Sequence, residues 1–168
     1  PDTIKRYLQW GFEVTVESGA GENAAILDSA YAEAGATIAA TRAEALAGAD
    51  IILKVQRPRT QDDGDEDGLS DIPEGAMLVA LHNPYGDPIG VEAYARRNLI
   101  AFAMEMLPRI SRAQSMDVLS SQSNLAGYKA VIDGAANYGR GMPMLMTAAG
   151  RINPAKVFVM GAGVAGLQ

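Results

Sequence analysis

The sequence predicts an α/β protein with a parallel, doubly wound sheet in its first domain. A long connecting helix follows, and then the opening of a second α/β domain. Three observations carry this reading. Short apolar runs alternate with helical segments of roughly ten residues, the pattern of β–α–β units. One segment, Met116 to Tyr138, is too long for another such helix and reads as a connector. A last apolar run, Lys156 to Met160, leads directly into a glycine-rich turn. Residues 1–115 are therefore expected to form the first domain, 116–140 the connecting helix and 141–168 the start of the second domain.

Each element has a local reason. Thr3 to Gln9 reads as a short helix stopped by Gly11, and Phe12 to Val16 alternates apolar and polar residues as a strand does. After the turn Ser18–Gly21, Asp28 is placed to cap a helix through Ala34, with Gly35 at its end. Thr37 to Ala39 is a brief strand. Thr41 and Glu44 have capping-box spacing for a helix ending near Gly48. Asp50 to Val55 and Ala76 to Leu81 are continuous apolar runs, expected as strands buried on both faces of a parallel sheet. The acidic run between Thr60 and Ser70 reads as a solvated loop, and its glycine spacing does not fit a calcium loop. His82 ends the second run, and Asn83–Gly86 is a turn. Asp87 and Pro88 start a helix to Arg97, and Leu99 to Ala103 is the next strand. A loop from Glu105 to Ser115 feeds the long helix, whose apolar side carries Val118, Leu125, Tyr128, Val131 and Ile132. Met142 to Met146 is apolar and undecided.

Composition narrows the function. The net charge of −6 argues against a nucleic-acid partner. With no cysteine and one histidine, disulfides, thiolate chemistry and a multi-histidine metal site are excluded. No apolar run reaches the ~18 residues a membrane helix needs. Pro1 is not an initiator methionine, and Gln168 falls in the opening turn of a helix, so the sequence is expected to belong to a longer chain.

Two motifs carry chemistry. Gly161-Ala-Gly-Val-Ala-Gly166, after a strand, is the dinucleotide fingerprint of a Rossmann domain in its proper context. Gly161 permits the tight turn, Gly163 admits the pyrophosphate, and Gly166 lets helix and strand pack closely. The acidic residue that would separate NAD from NADP lies beyond Gln168. The second motif is Pro108 to Tyr128, P-R-I-S-R-A-Q-S-M-D-V-L-S-S-Q-S-N-L-A-G-Y. Arg109 and Arg112 precede a dense set of hydroxyls and amides with Asp117 among them. Arginine forks suit phosphate, and the hydroxyls and amides suit ribose and carboxamide groups. An α/β domain followed by a long helix and a fingerprint is the layout of two-domain dehydrogenases, whose cofactor lies in a cleft. The Arg109–Asp117 loop then sits where the first domain could reach the nicotinamide end.

The stretch R-I-S-R-A-Q-S-M-D with S-S-Q-S-N-L-A-G-Y resembles the NAD(H)-binding domain I, in the alpha subunit, of proton-translocating nicotinamide nucleotide transhydrogenases. The likeness is dense from Arg109 to Gln168 and looser upstream. It implies a component that binds NAD(H) and passes hydride to NADP(H) on a partner domain. It also implies a membrane domain for proton translocation, a homodimer, and a peripheral place on the cytoplasmic side of the inner membrane. By the same likeness Arg109, Gln114, Asp117 and Ser120 contact the nicotinamide and its ribose, within a cofactor-facing stretch that includes Ile110, Ser111 and Arg112. Gln114 and Asp117 would orient the ring for hydride transfer, and Gly161, Gly163, Val164 and Gly166 would surround the pyrophosphate. The related alanine dehydrogenases carry K-V-K-E-P where this chain has Lys54-Val-Gln-Arg-Pro58. Their second lysine binds the oxo-acid; Gln56 replaces it here, and His82 is expected to be structural. The stretch Leu81 to Ile89, with its extra prolines, departs from the family pattern. A soluble alanine dehydrogenase-like enzyme and a non-catalytic nucleotide-binding module are the alternatives.

Overall fold

The computed structural model describes residues 1–60, 63 and 68–168, in two compact units, Pro1–Ala103 and Met104–Gln168. Most of the acidic run expected as a solvated loop lies outside the described residues. Asp63, within it, is described and is held by Arg57.

In the first unit, helix α1 (Asp2–Gln9) buries Ile4 against Ala34 and Ala36, with Leu8, Val14, Val16 and Tyr31 packed around them. Strand β1 is Thr15–Glu17, later than the alternation from Phe12 suggested. Phe12 instead donates its backbone N–H to the Tyr7 carbonyl (3.0 Å) and meets the Tyr7 ring edge-on, so it stays with the end of α1. Helix α2 (Asp28–Glu33) follows, and then β2 (Thr37–Ala39), which pairs parallel with β1. Asp28 is not the cap of α2; Leu27 holds that position. The Asp28 carboxylate reaches back to the preceding turn, accepting from the Ser18 hydroxyl (2.6 Å) and the Gly19 N–H (2.9 Å). Those two bonds, Ser18 first, hold its pKa below the ordinary carboxylate value. Helix α3 (Arg42–Leu46) has the expected reciprocal cap: Thr41 Oγ1 accepts from the Glu44 N–H, and the Glu44 carboxylate accepts from the Ala40 N–H.

The second sheet is parallel, in the order β3 (Ile51–Gln56), β4 (Met77–Leu81), β5 (Ile100–Ala103). Its core is Ile52, Leu69, Ile72, Ala76, Leu78 and Tyr94. The central strand β4 buries Leu78 and Ala80 completely. The edge strand β3 is not buried on both faces as its unbroken apolar run suggested. Ile52 is buried, whereas Leu53 and Val55 are 54% and 80% exposed. An edge position on a sheet with one covered face explains this, since side chains alternate across a strand. The β3–β4 register shifts between Leu53 and Gln56, a bulge at the carboxyl end of β3. Helix α4 (Pro88–Arg96) begins as its sequence predicts, with Asp87 accepting from the Gly90 N–H (3.0 Å) and Pro88 in the first turn. His82, just past β4, is 2% exposed and meets Tyr94 edge-on at 5.2 Å between ring centres.

The second unit is built on α5 (Val118–Tyr138), which ends at Gly139 in the left-handed conformation. An antiparallel hairpin of β6 (Leu145–Thr147) and β7 (Gly150–Ile152) resolves the undecided apolar segment after it. Lys156–Met160 is not a strand. Val157, Phe158, Val159 and Met160 are exposed, and the segment pairs with no described strand. A strand exists only within a ladder, and apolar residues alone cannot supply the partner. A short helix, α6 (Val164–Leu167), closes the described chain. No helix among the described residues is long and apolar enough to cross a membrane.

Candidate functional site

The glycine-rich turn and the start of α5 meet in the second unit. Gly161 has φ +115°, which a side chain rarely adopts, so a residue with a Cβ would strain the turn. A Cβ on Gly163 would meet nothing within 4 Å, which leaves open space beside the backbone. A Cβ on Gly166 would overlap the Gly161 carbonyl, so this glycine lets α6 fold back onto the turn. The three positions therefore have the distinct properties that the spacing predicted.

Helix α5 approaches this turn through another glycine. Gly127 is buried, and a Cβ there would run into the Ala165 carbonyl. The Asn124 amide donates to the Gln168 side-chain oxygen (2.7 Å) beside this contact. The N-terminus of α5 is fixed by Asp117, which accepts from the Ser120 N–H (3.0 Å) and the Ser120 hydroxyl (2.6 Å). The Ser120 hydroxyl first, and then its amide, hold the Asp117 carboxyl below its usual pKa; Arg109 adds a smaller effect in the same direction. Ahead of it, Ser111–Met116 is a 3₁₀ segment entered from Ile110 and anchored by buried Ala113.

These elements enclose a concavity of about 370 Å³. Of the residues expected to face a cofactor, Arg109, Ser120, Gly161, Gly163, Val164 and Gly166 line it. Ile110, Ser111, Arg112, Gln114 and Asp117 lie outside its lining. Ile110, Ser111, Arg112 and Gln114 are exposed, and Asp117 is half-buried under its cap bonds. The lining adds Leu119, Ser123, Met160 and Ala165, which were not singled out as site residues. Ser123 had a signal in the sequence: it follows Ser120 by three positions on a helix, so the two share a face. The arrangement offers one guanidinium, two hydroxyls and a close-approach backbone turn, a donor set suited to a phosphate-bearing ligand.

Residues 1–126 match the model of the alanine dehydrogenase/PNT N-terminal domain, and residues 130–168 match that of the corresponding C-terminal domain. The chain is 55% identical over its whole length to an NAD(P) transhydrogenase alpha subunit of Rhodospirillum rubrum, of which it covers 44%. It is 45% identical to the protein of the same name from Rickettsia prowazekii, again over its whole length and 43% of the relative. The alanine dehydrogenase of Mycobacterium tuberculosis is more distant, at 29% identity over 99% of this chain and 43% of that one. Among solved structures, the transhydrogenase from Sinorhizobium meliloti superposes with a TM-score of 0.89 at 52% identity, covering 99% of this chain and 48% of that one. An L-alanine dehydrogenase at 23% identity has the same fold, with a TM-score of 0.78 over 99% of this chain and 45% of that one. The chain thus spans less than half the length of the curated relatives it matches.

Proposed function

Because the chain belongs to the alanine dehydrogenase/PNT family, we propose that it is the NAD(H)-binding portion of a proton-translocating NAD(P) transhydrogenase. Its 55% identity to a transhydrogenase alpha subunit, against 29% to an alanine dehydrogenase, supports that branch of the family. The observation that carries the reading is the concavity that joins the fingerprint turn to Arg109, Ser120 and Ser123. The residues fit a dinucleotide. The guanidinium of Arg109 balances the charge of the pyrophosphate, Gly163 leaves room for it, and the α5 hydroxyls donate or accept at its edge. When bound, the nicotinamide supplies the hydride chemistry.

The protein's own task is placement and exclusion of water, and no side chain need act as general acid or base. Asp117 holds Ser120 at the head of α5, and Gly127 and Gly166 bring α5 and the turn together. Gln114 and Asp117 orient the ring. Residues 1–115 act as the first domain, 116–140 as the connector, and 141–168 as the start of the cofactor domain. In the whole enzyme an NADP(H)-binding component receives the hydride, a membrane domain couples the exchange to proton movement, and this component is a homodimer held peripherally at the cytoplasmic face.

An alanine dehydrogenase-like activity is the second reading, favoured by His82 at the end of β4. Gln56, where the dehydrogenases carry a substrate lysine, opposes it. The full-length protein incubated with NAD⁺ and L-alanine separates the two. The expected result is NADH binding without alanine-dependent reduction, and hydride exchange once the NADP-binding partner is added. Steady NADH formation from alanine would overturn the proposal, and so would an absence of exchange with the partner present.

A further inference from the structure

A second polar constellation lies in the first unit, apart from the dinucleotide turn. It sits at the carboxyl ends of β3 and β4, the rim of an open parallel sheet on which α/β proteins take ligands. The bulge at the end of β3 leads directly into Arg57, whose backbone N–H still bonds the Leu81 carbonyl (2.9 Å). Bulges of this kind re-aim a side chain at a sheet's rim. Arg57 Nε is bound by Asp87 Oδ2 at 2.9 Å, and Asp87 is fixed in turn as the cap of α4. That contact orients the guanidinium from a different loop and leaves its two-nitrogen edge pointing away from Asp87.

That edge grips one carboxylate. Arg57 Nη1 and Nη2 donate to the two oxygens of Asp63 at 2.6 and 2.7 Å. The Thr60 N–H (2.8 Å) and the Thr60 hydroxyl (3.2 Å) donate to the same carboxylate. A forked guanidinium with a backbone N–H and a hydroxyl is the donor set that recognises a free carboxylate. The Asp63 carboxyl is held well below its usual pKa, chiefly by the Arg57 bonds. The Arg57 and Asp63 side chains are 25% and 26% exposed, so solutes can reach the rim.

We propose that Arg57 and Thr60 form a carboxylate-binding cradle and that Asp63 occupies it as an internal ligand, shutting out small carboxylates from solution. The chain's own acid is tethered only three positions from Thr60. Its effective concentration at the cradle is therefore far above that of a dissolved acid. This inference does not depend on the nucleotide reading.

Asp63→Ala in the full-length protein tests it, with acetate as the probe and chloride at equal ionic strength as the control. NMR titration is expected to show acetate binding at least about tenfold tighter to the variant than to the parent, and acetate should raise the variant's thermal midpoint more than chloride does. Adding Arg57→Gln should remove the gain. Equal acetate binding in parent and variant overturns the proposal, as does a gain that survives Arg57→Gln. Should the alanine variant lose its fold, Asp63→Asn provides the same comparison, and failure of acetate to restore either variant also counts against the cradle.

Discussion

Two glycines in one helix make opposite predictions. Gly127 and Gly134 both lie inside α5, and in a bare helix replacing either with alanine would stabilise it by about 0.5–1 kcal/mol, because alanine gives up less backbone freedom. At Gly134 a Cβ meets nothing within 4 Å, so Gly134→Ala should show that gain unopposed. At Gly127 the new Cβ overlaps the Ala165 backbone, and a carbonyl cannot rotate aside as a flexible side chain can. Overpacking costs about 1–3 kcal/mol. Set against the helical gain, Gly127→Ala should be destabilised by up to about 2 kcal/mol. The two variants should therefore differ by roughly 1–3 kcal/mol, in opposite directions from the parent. Ala165 belongs to the dinucleotide turn, so Gly127→Ala should also weaken NADH binding while Gly134→Ala leaves it unchanged. Urea unfolding of the full-length proteins, with NADH fluorescence titration, reads both effects. If Gly127→Ala gains as much stability as Gly134→Ala, the close approach of α5 to α6 is wrong.

Further predictions rest on single sites. Leu78, fully buried in the central strand, should cost about 2–5 kcal/mol when cut to alanine, seen as a lower urea midpoint at unchanged slope. Thr41→Ala removes the α3 cap and should cost about 0.5–2 kcal/mol by the same measurement. Arg109→Ala should weaken NADH about 10- to 100-fold, the range for losing a hydrogen bond to a charged group, with no loss of fold by circular dichroism. Asp117 has a lowered folded pKa, so its contribution is fully present above the ordinary carboxylate range and disappears as pH falls through the folded value. Asp117→Asn should therefore flatten the acid side of the stability curve. Superimposable acid limbs would show that the Ser120 bonds do not tune that carboxyl.

What the sequence discloses depends on how far apart the interacting groups are. The caps at Thr41 and Asp87 were legible because each closes within three residues. Asp28 misled for the opposite reason: its best partners, Ser18 and Gly19, lie ten and nine positions back, and they outcompete the cap role that its position suggests. Apolar runs gave the existence of β3 and β4 but not their burial. Whether Leu53 and Val55 are covered depends on what packs over that face, and a run length cannot state this. Lys156–Met160 fails as a strand on the same ground. At the site, the spacing of Gly161, Gly163 and Gly166 announced the turn, because its geometry is local. That Arg109 and Ser120 share a concavity with it depends on α5 running back against Ala165 through Gly127, a contact between positions 38 apart that no local pattern encodes. Asp117 joins the two levels. Its sequence position suggested a ligand-facing group, and its bonds make it a helix cap. These roles support each other, since the cap fixes Ser120, and Ser120 lines the concavity. Removing the Asp117 carboxylate should therefore disturb nucleotide binding even if that carboxylate never touches the nucleotide.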